Sequence, residues 1–226
     1  MQFAHLPPLA ISLFSLLATI SLLMSFVMLG SRWISSYLYA FSVESLTIAA
    51  LSAAVGYYGG YPELYLIALL TALFRGLVLP YLIWQIVKGT QINREIHAMI
   101  QPSTCLVVGA FAVVFALLIA VKIAQTADLS ETIIILALTV MLSMKLIGFL
   151  MLTVRYEAIS QVLGLLVLEN GIFLGSQILV PGMPMLLELV ILFDLLVVVA
   201  CFGVLVRYLM RHVGSTDTTQ LRKLVG

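Results

Sequence analysis

Charge is what this sequence has least of. Asp, Glu, Lys and Arg make up 9% of its 226 residues, against about 25% in an ordinary soluble domain, while 63% are hydrophobic. So few charges cannot cover the apolar surface in water, which excludes a soluble globule and predicts a polytopic membrane protein. Spans of about 20 residues consume nearly the whole length, leaving no room for a Rossmann, phosphate-binding or other soluble catalytic domain. Cysteine is equally scarce. Cys105 and Cys201 stand singly in apolar runs and read as packing residues, since a cluster site takes about four thiolates and no disulfide framework is in sight. The net charge of +1 comes without a basic stripe, so nucleic acid is not an expected partner. His5, His97 and His212 fall in polar segments without metal-ligand spacing. No metal or cofactor is therefore expected, and any redox chemistry belongs to a partner. The first eight residues lack the positive region and cleavage site of a signal peptide, so the first apolar run should persist as a span.

Long apolar runs are abundant. Polar or Pro/Gly breaks divide the chain into seven, near 9 to 29, 34 to 56, 63 to 87, 103 to 124, 130 to 152, 158 to 180 and 185 to 207. Only helices and closed barrels satisfy the backbone in lipid, and no period-2 alternation is visible, so the expected fold is all-α with about seven transmembrane helices. Arg32, Lys88, Arg94, Arg155, Arg207, Arg211, Arg222 and Lys223 fall on one side and Lys122 on the other, which places the N-terminus outside and the C-terminus in the cytoplasm. The second and sixth spans each hold a central Glu, and the third and seventh each a central charge. This suggests a 3+1+3 arrangement with parallel repeats: an N-terminal unit over 1–102, a connecting helix over 103–129 and a C-terminal unit over 130–226. The fourth span has no internal charge and reads as a connector.

Glu44, Arg75, Glu169 and Asp194 each fall near the middle of an apolar run. A charge at mid-bilayer costs roughly 2.5–3.5 kcal/mol on insertion scales, so proton or ion handling is the leading reason for keeping them. Lys145, Glu169 and Asp194 lie at similar depths on three consecutive spans, so the Lys can pair with one carboxylate and leave the other to exchange protons. Desolvation and a nearby cation pull a buried carboxyl's proton affinity in opposite directions, and their balance can bring it into a working range. Gly148, Gly164 and Gly171 flank these positions and admit close helix approach; Asn170 supplies an amide. In the N-terminal unit Glu44 can meet Arg75, and Pro80 is expected to bend the third span by removing the hydrogen bond to the carbonyl of residue 76. A plainer reading makes Glu44 and Arg75 a static ion pair that sets helix register. Glu63, Glu131 and Glu188 stand near span ends and read as hydrated.

Residues Arg155 to Gln177, with Gly164-Leu165 and Leu168-Glu169-Asn170-Gly171, resemble the second span of the K-type small subunit of bacterial respiratory complex I and of the C subunit of multisubunit sodium/proton antiporters. The Asp194 span, ending Arg207-Tyr208-Leu209-Met210-Arg211-His212, and the tail Asp217 to Gly226 resemble that subunit's last span and tail. The family usually carries its first carboxylate where Leu166 stands here, three residues before Glu169, and its second is commonly Glu rather than Asp. With Thr71 to Arg75 and Leu79 to Ile83 included, the whole length resembles component E of hydrogenase-4, from formate hydrogenlyase-type complexes, which often has Lys at the Arg75 position. The resemblance implies a bacterial or archaeal cell (inner) membrane and a proton pathway through Glu169 and Asp194, to which the reading of the residues adds Lys145, Glu44 and Arg75. The implied partners are antiporter-like large subunits, a hydrogenase membrane anchor and, through them, a nickel-iron hydrogenase or related redox module.

Two function classes compete with such a non-catalytic coupling subunit. A stand-alone secondary transporter, or a cation/proton antiporter subunit, has little material for alternating access in 226 residues without an inverted repeat. A seven-span retinal photoreceptor needs a Schiff-base Lys in its last span, and residues 185 to 207 hold none.

Overall fold

The computed structural model describes residues 7–89, 100–127, 132–156 and 158–180, with residues 200, 203 and 204. Apart from those three positions, the expected seventh span and the C-terminal tail lie outside the described residues. Helix α1, Pro8–Gly30, opens on a proline where no backbone donor is needed. After a short turn, α2 covers Ile34–Gly59 and stops at Gly60, whose φ of 73° is a left-handed cap that glycine adopts without a Cβ penalty. A third rod follows in three pieces: α3 (Glu63–Leu70), a π-helical segment (Thr71–Val78) and α4 (Leu79–Gly89). Helices α5 (Pro102–Thr126), α6 (Thr132–Val154) and α7 (Ala158–Leu179) complete the described elements. Counting the third rod once, six helices are long and apolar enough to cross a membrane, as in a multi-pass membrane protein.

The π-helical segment is the backbone's response to Pro80. A proline lacks the N–H of an α-turn, and its ring crowds the carbonyl four residues earlier, here Gly76. The helix widens by one residue instead, so that the Leu79 N–H reaches Phe74 O. The bend expected at Pro80 thus takes the form of a π-helix that has Arg75 in its middle. A Cβ at Gly76 would stand 3.0 Å from Leu46 Cδ2, so the glycine lets α2 press against the widened turn.

Outward-facing side chains are as apolar as inward ones, because lipid is the solvent. On α5 the bulky Phe111, Phe115 and Leu118 face out while Gly109, Ala116, Ala120 and Ala124 face in. The buried apolar residues form two separate clusters. One gathers Leu29, Ile34, Phe41, Leu79, Met151 and Leu163; the other gathers Phe14, Ile48, Leu51, Ile67, Ile134 and Phe173. Between them four of the rods carry polar residues: Ser21 and Ser25 on α1, Glu44 and Ser45 on α2, Thr71 and Arg75 on the third rod, Glu169 and Asn170 on α7. The result is a polar belt across the middle of the bundle.

Two further contacts hold the belt's scaffold. The buried Arg155 guanidinium donates to Leu29 O at 2.7 Å and Ser31 O at 3.2 Å. A cation at these carbonyls complements the negative end of the α1 dipole and ties the α6–α7 connection to the α1–α2 connection. Helices α6 and α7 meet at a seam of glycines. A Cβ at Gly148 would lie 2.7 Å from Gly164 O and 2.8 Å from Leu168 N, and one at Gly164 would lie 3.0 Å from Gly148 O. Backbone cannot yield there as a flexible side chain can. Gly148→Ala and Gly164→Ala are expected to destabilise the chain by about 1–3 kcal/mol, as overpacking does, with Gly148→Ala the worse. Gly30→Ala, whose Cβ would meet Leu106 side-chain carbons at 3.4 Å, should be close to neutral. Unfolding titrations of the three variants in detergent would check this order.

Candidate functional site

Arg75 is the cation of the belt and is 2% exposed. A guanidinium does not shed its proton, so its donors must be met where they are. Helix α7 meets them: Arg75 Nη1 donates to Asn170 Oδ1 at 2.8 Å, Nη2 lies 3.8 Å from Glu169 Oε2, and the guanidinium carbon stands 5.1 Å above the centre of the Phe173 ring. Because Arg75 can only donate, Asn170 must turn its oxygen to Arg75. Its Nδ2 then faces Ser45 Oγ on α2, 3.5 Å away. Two turns of α7 beyond, Gln177 Nε2 donates to Ser52 Oγ. Both α2–α7 pairs are 125 residues apart, so the two helices run parallel with their seam in register. The same interval separates Glu44 from Glu169.

Glu44 is fully buried on α2. Its Oε1 accepts from Ser25 Oγ on α1 at 2.8 Å, and Asn170 and Arg75 are its further electrostatic neighbours. Among the described residues its Oε2 has no hydrogen-bond partner. The belt therefore holds two carboxyl groups around one guanidinium, and the guanidinium's ion pair is with Glu169.

That pairing differs from the one expected. Arg75 and Glu44 belong to one sequence unit and were expected as partners, and Lys145 was expected to pair with either Glu169 or Asp194. The register of the third rod against α7 decides otherwise. Lys145 lies half-buried on α6 between Met144 and Ile147, at the depth of the belt, and its backbone N would be 3.4 Å from a Cβ at Gly171. No hydrogen bond or ion pair joins it to another described residue. Asp194 lies outside the described residues. Pro80 is buried directly after the π-helical segment. Sequence reasoning missed Ser25, Ser45 and Phe173 as belt residues and Arg155 as a buried cap. Small hydroxyls at i and i+4 (Ser21, Ser25) or i and i+7 (Ser45, Ser52) on otherwise apolar runs were the available signal. No three His, Cys, Asp or Glu side chains gather into a metal-binding group among the described residues.

No protein-family model matches the chain, and no solved structure matches it. Over 151 residues it is 31% identical to the uncharacterized protein Rv0085 of Mycobacterium tuberculosis, an alignment that covers 66% of this chain and 67% of that protein.

Removing one member of a buried ion pair strands the other, at a cost of about 3–5 kcal/mol. Arg75→Gln and Glu169→Gln are each expected to destabilise on that scale, and the double variant to lose much less than their sum. Pairing Arg75→Gln with Glu44→Gln should show a smaller coupling energy. Thermal unfolding of the three single and two double variants would read it; equal couplings for the two carboxylates would contradict the assigned pairing.

Proposed function

The chain belongs to the family of the uncharacterized Mycobacterium tuberculosis protein Rv0085, and for it we propose the role of a non-catalytic membrane subunit in an energy-converting hydrogenase or complex I-like assembly. In this role the subunit couples redox chemistry in its partners to proton or sodium movement through buried carboxylates. The observation that carries the proposal is the belt: Glu44, Arg75 and Glu169 meet in the middle of apolar helices, with an apolar cluster on either side. Ionisable groups inside a membrane that face the bundle interior mark ion pathways and relays.

Charge balance supports the same role. The spans hold three central carboxylates, Glu44, Glu169 and Asp194, against two cations, Arg75 and Lys145. A neutral set therefore has one place for a proton or a monovalent cation. The parallel 125-residue register of α2 and α7 supports the 3+1+3 arrangement. The distribution of Lys and Arg supports an external N-terminus and a cytoplasmic C-terminus in a bacterial or archaeal cell membrane. The resemblance to hydrogenase-4 component E names the partners: antiporter-like large subunits, a membrane anchor and a nickel-iron hydrogenase module.

Mild-detergent purification of the native complex through this chain is expected to bring down an antiporter-like subunit together with a hydrogenase or related redox module. Recovery as a lone carrier whose transport is stimulated by a substrate would instead favour the secondary transporter. Within the complexes that still assemble, Glu169→Gln should drop ion movement to the uncoupled background. Wild-type pumping by that variant would remove Glu169 from the pathway.

A further inference from the structure

Besides Glu169 Oε2, which faces the Arg75 guanidinium, four buried side-chain oxygens have no hydrogen-bond partner among the described residues: Glu44 Oε2, Ser21 Oγ, Thr71 Oγ1 and Gln177 Oε1. Their placement is one-sided. Helix α1 runs toward the end where Arg155 caps it, and Ser21 precedes Ser25, the donor to Glu44, by one turn. The third rod starts at the opposite end, after the Gly60 turn, so Thr71 also lies one turn from Arg75 toward that opposite end. Gln177 lies two turns from Asn170 in the same direction, since α7 runs away from Arg155. Three residues further on, Val180 is 54% exposed. Starting from Glu44, the unpartnered oxygens therefore stand at successive depths of the half of the bundle that ends at Tyr58 and Gly60.

The Arg155 half is different. Its buried polar groups have partners: Tyr37 Oη donates to Met151 Sδ and Arg155 to the α1 carbonyls. Phe41, Leu163, Leu166, Ile147 and Met151 fill the space between these and the belt. A buried polar atom left without a partner costs about 1–3 kcal/mol, and several of them within two turns of depth are the kind of place ordered water occupies, with two to four polar contacts per molecule.

We propose that Glu44 exchanges protons with the Tyr58–Gly60 end of the bundle through a file of buried waters held by Ser21, Thr71 and the Gln177–Ser52 pair, while the Arg155 half is a dry seal. The proposal gives the relay a direction of access. Its purpose rests on the proton-handling role proposed above, but the water itself follows from the geometry. The Ser52 hydroxyl fixes the far station: it donates to Ile48 O and accepts from the Gln177 amide, so the amide oxygen points away from it.

The test is water-to-protein magnetisation transfer by solid-state NMR on the isotope-labelled full chain in lipid bilayers. Rapid transfer is expected at Glu44, Ser21, Thr71 and Gln177 and none at Phe41, Leu163 and Leu166. A Ser21→Ala, Thr71→Val double variant should lose the transfer at Glu44 while its backbone shifts elsewhere stay unchanged. A dry Glu44 in the unaltered chain, or equal transfer in the Arg155 half, would overturn the proposal. The unaltered chain decides even if the double variant does not fold. A dry Glu44 together with loss of pumping in Glu169→Gln would sink the water file and leave the coupling role standing.

Discussion

One guanidinium that cannot shed its charge, buried in the bundle interior, constrains most of this bundle. Arg75 needs an acceptor, a counter-charge and a polarisable neighbour, and three residues of one helix supply them: Asn170, Glu169 and Phe173. For α7 to do so, it must lie beside the third rod at one particular register. That register also brings Asn170 to Ser45 and Gln177 to Ser52, so the polar pairs that satisfy the cation also lock α2 against α7. The π-helical turn adds the last adjustment, widening the rod where Pro80 would otherwise break it and holding Arg75 at its centre.

The apolar clusters on either side serve the belt as much as they serve stability. Lipid offers no hydrophobic drive to bring helices together, so the bundle relies on close backbone contact, as at Gly148 and Gly164, and on polar contacts such as the Arg155 cap. Both are local and rigid. They leave the belt with a fixed frame. In the proposed coupling role, such a frame would hold the buried charges in constant geometry toward neighbouring subunits.

Hydropathy made the helices legible from the sequence. The runs at 9 to 29 and 34 to 56 correspond to Pro8–Gly30 and Ile34–Gly59, and the run at 103 to 124 to Pro102–Thr126, because apolar length alone decides what can cross a bilayer. Three of the charged belt residues were legible for the same reason: a Glu or Arg amid hydrocarbon stands out. Partner choice was not. Glu44 and Arg75 are close in sequence, yet Arg75 pairs with Glu169, since the match depends on how the third rod registers with a helix 95 residues away. Arg155 was read as a loop charge because it sits in a polar break; only its burial against the α1 carbonyls shows it to be a cap. Pro80 did mark a distortion, but whether a proline kinks a helix or widens it depends on what packs there, and Gly76 against Leu46 is a tertiary fact.

The central claim is that Arg75 is held by Asn170 and Glu169 in the interior of a membrane-embedded bundle. Dipolar recoupling between labelled Arg75 guanidinium nitrogens and labelled side-chain carbons, in the full chain reconstituted in bilayers, measures this contact without a mutation. The account predicts a strong coupling to the Asn170 amide carbon and a weaker one to the Glu169 carboxyl carbon. A dominant coupling to Glu44, or none to α7, would contradict it.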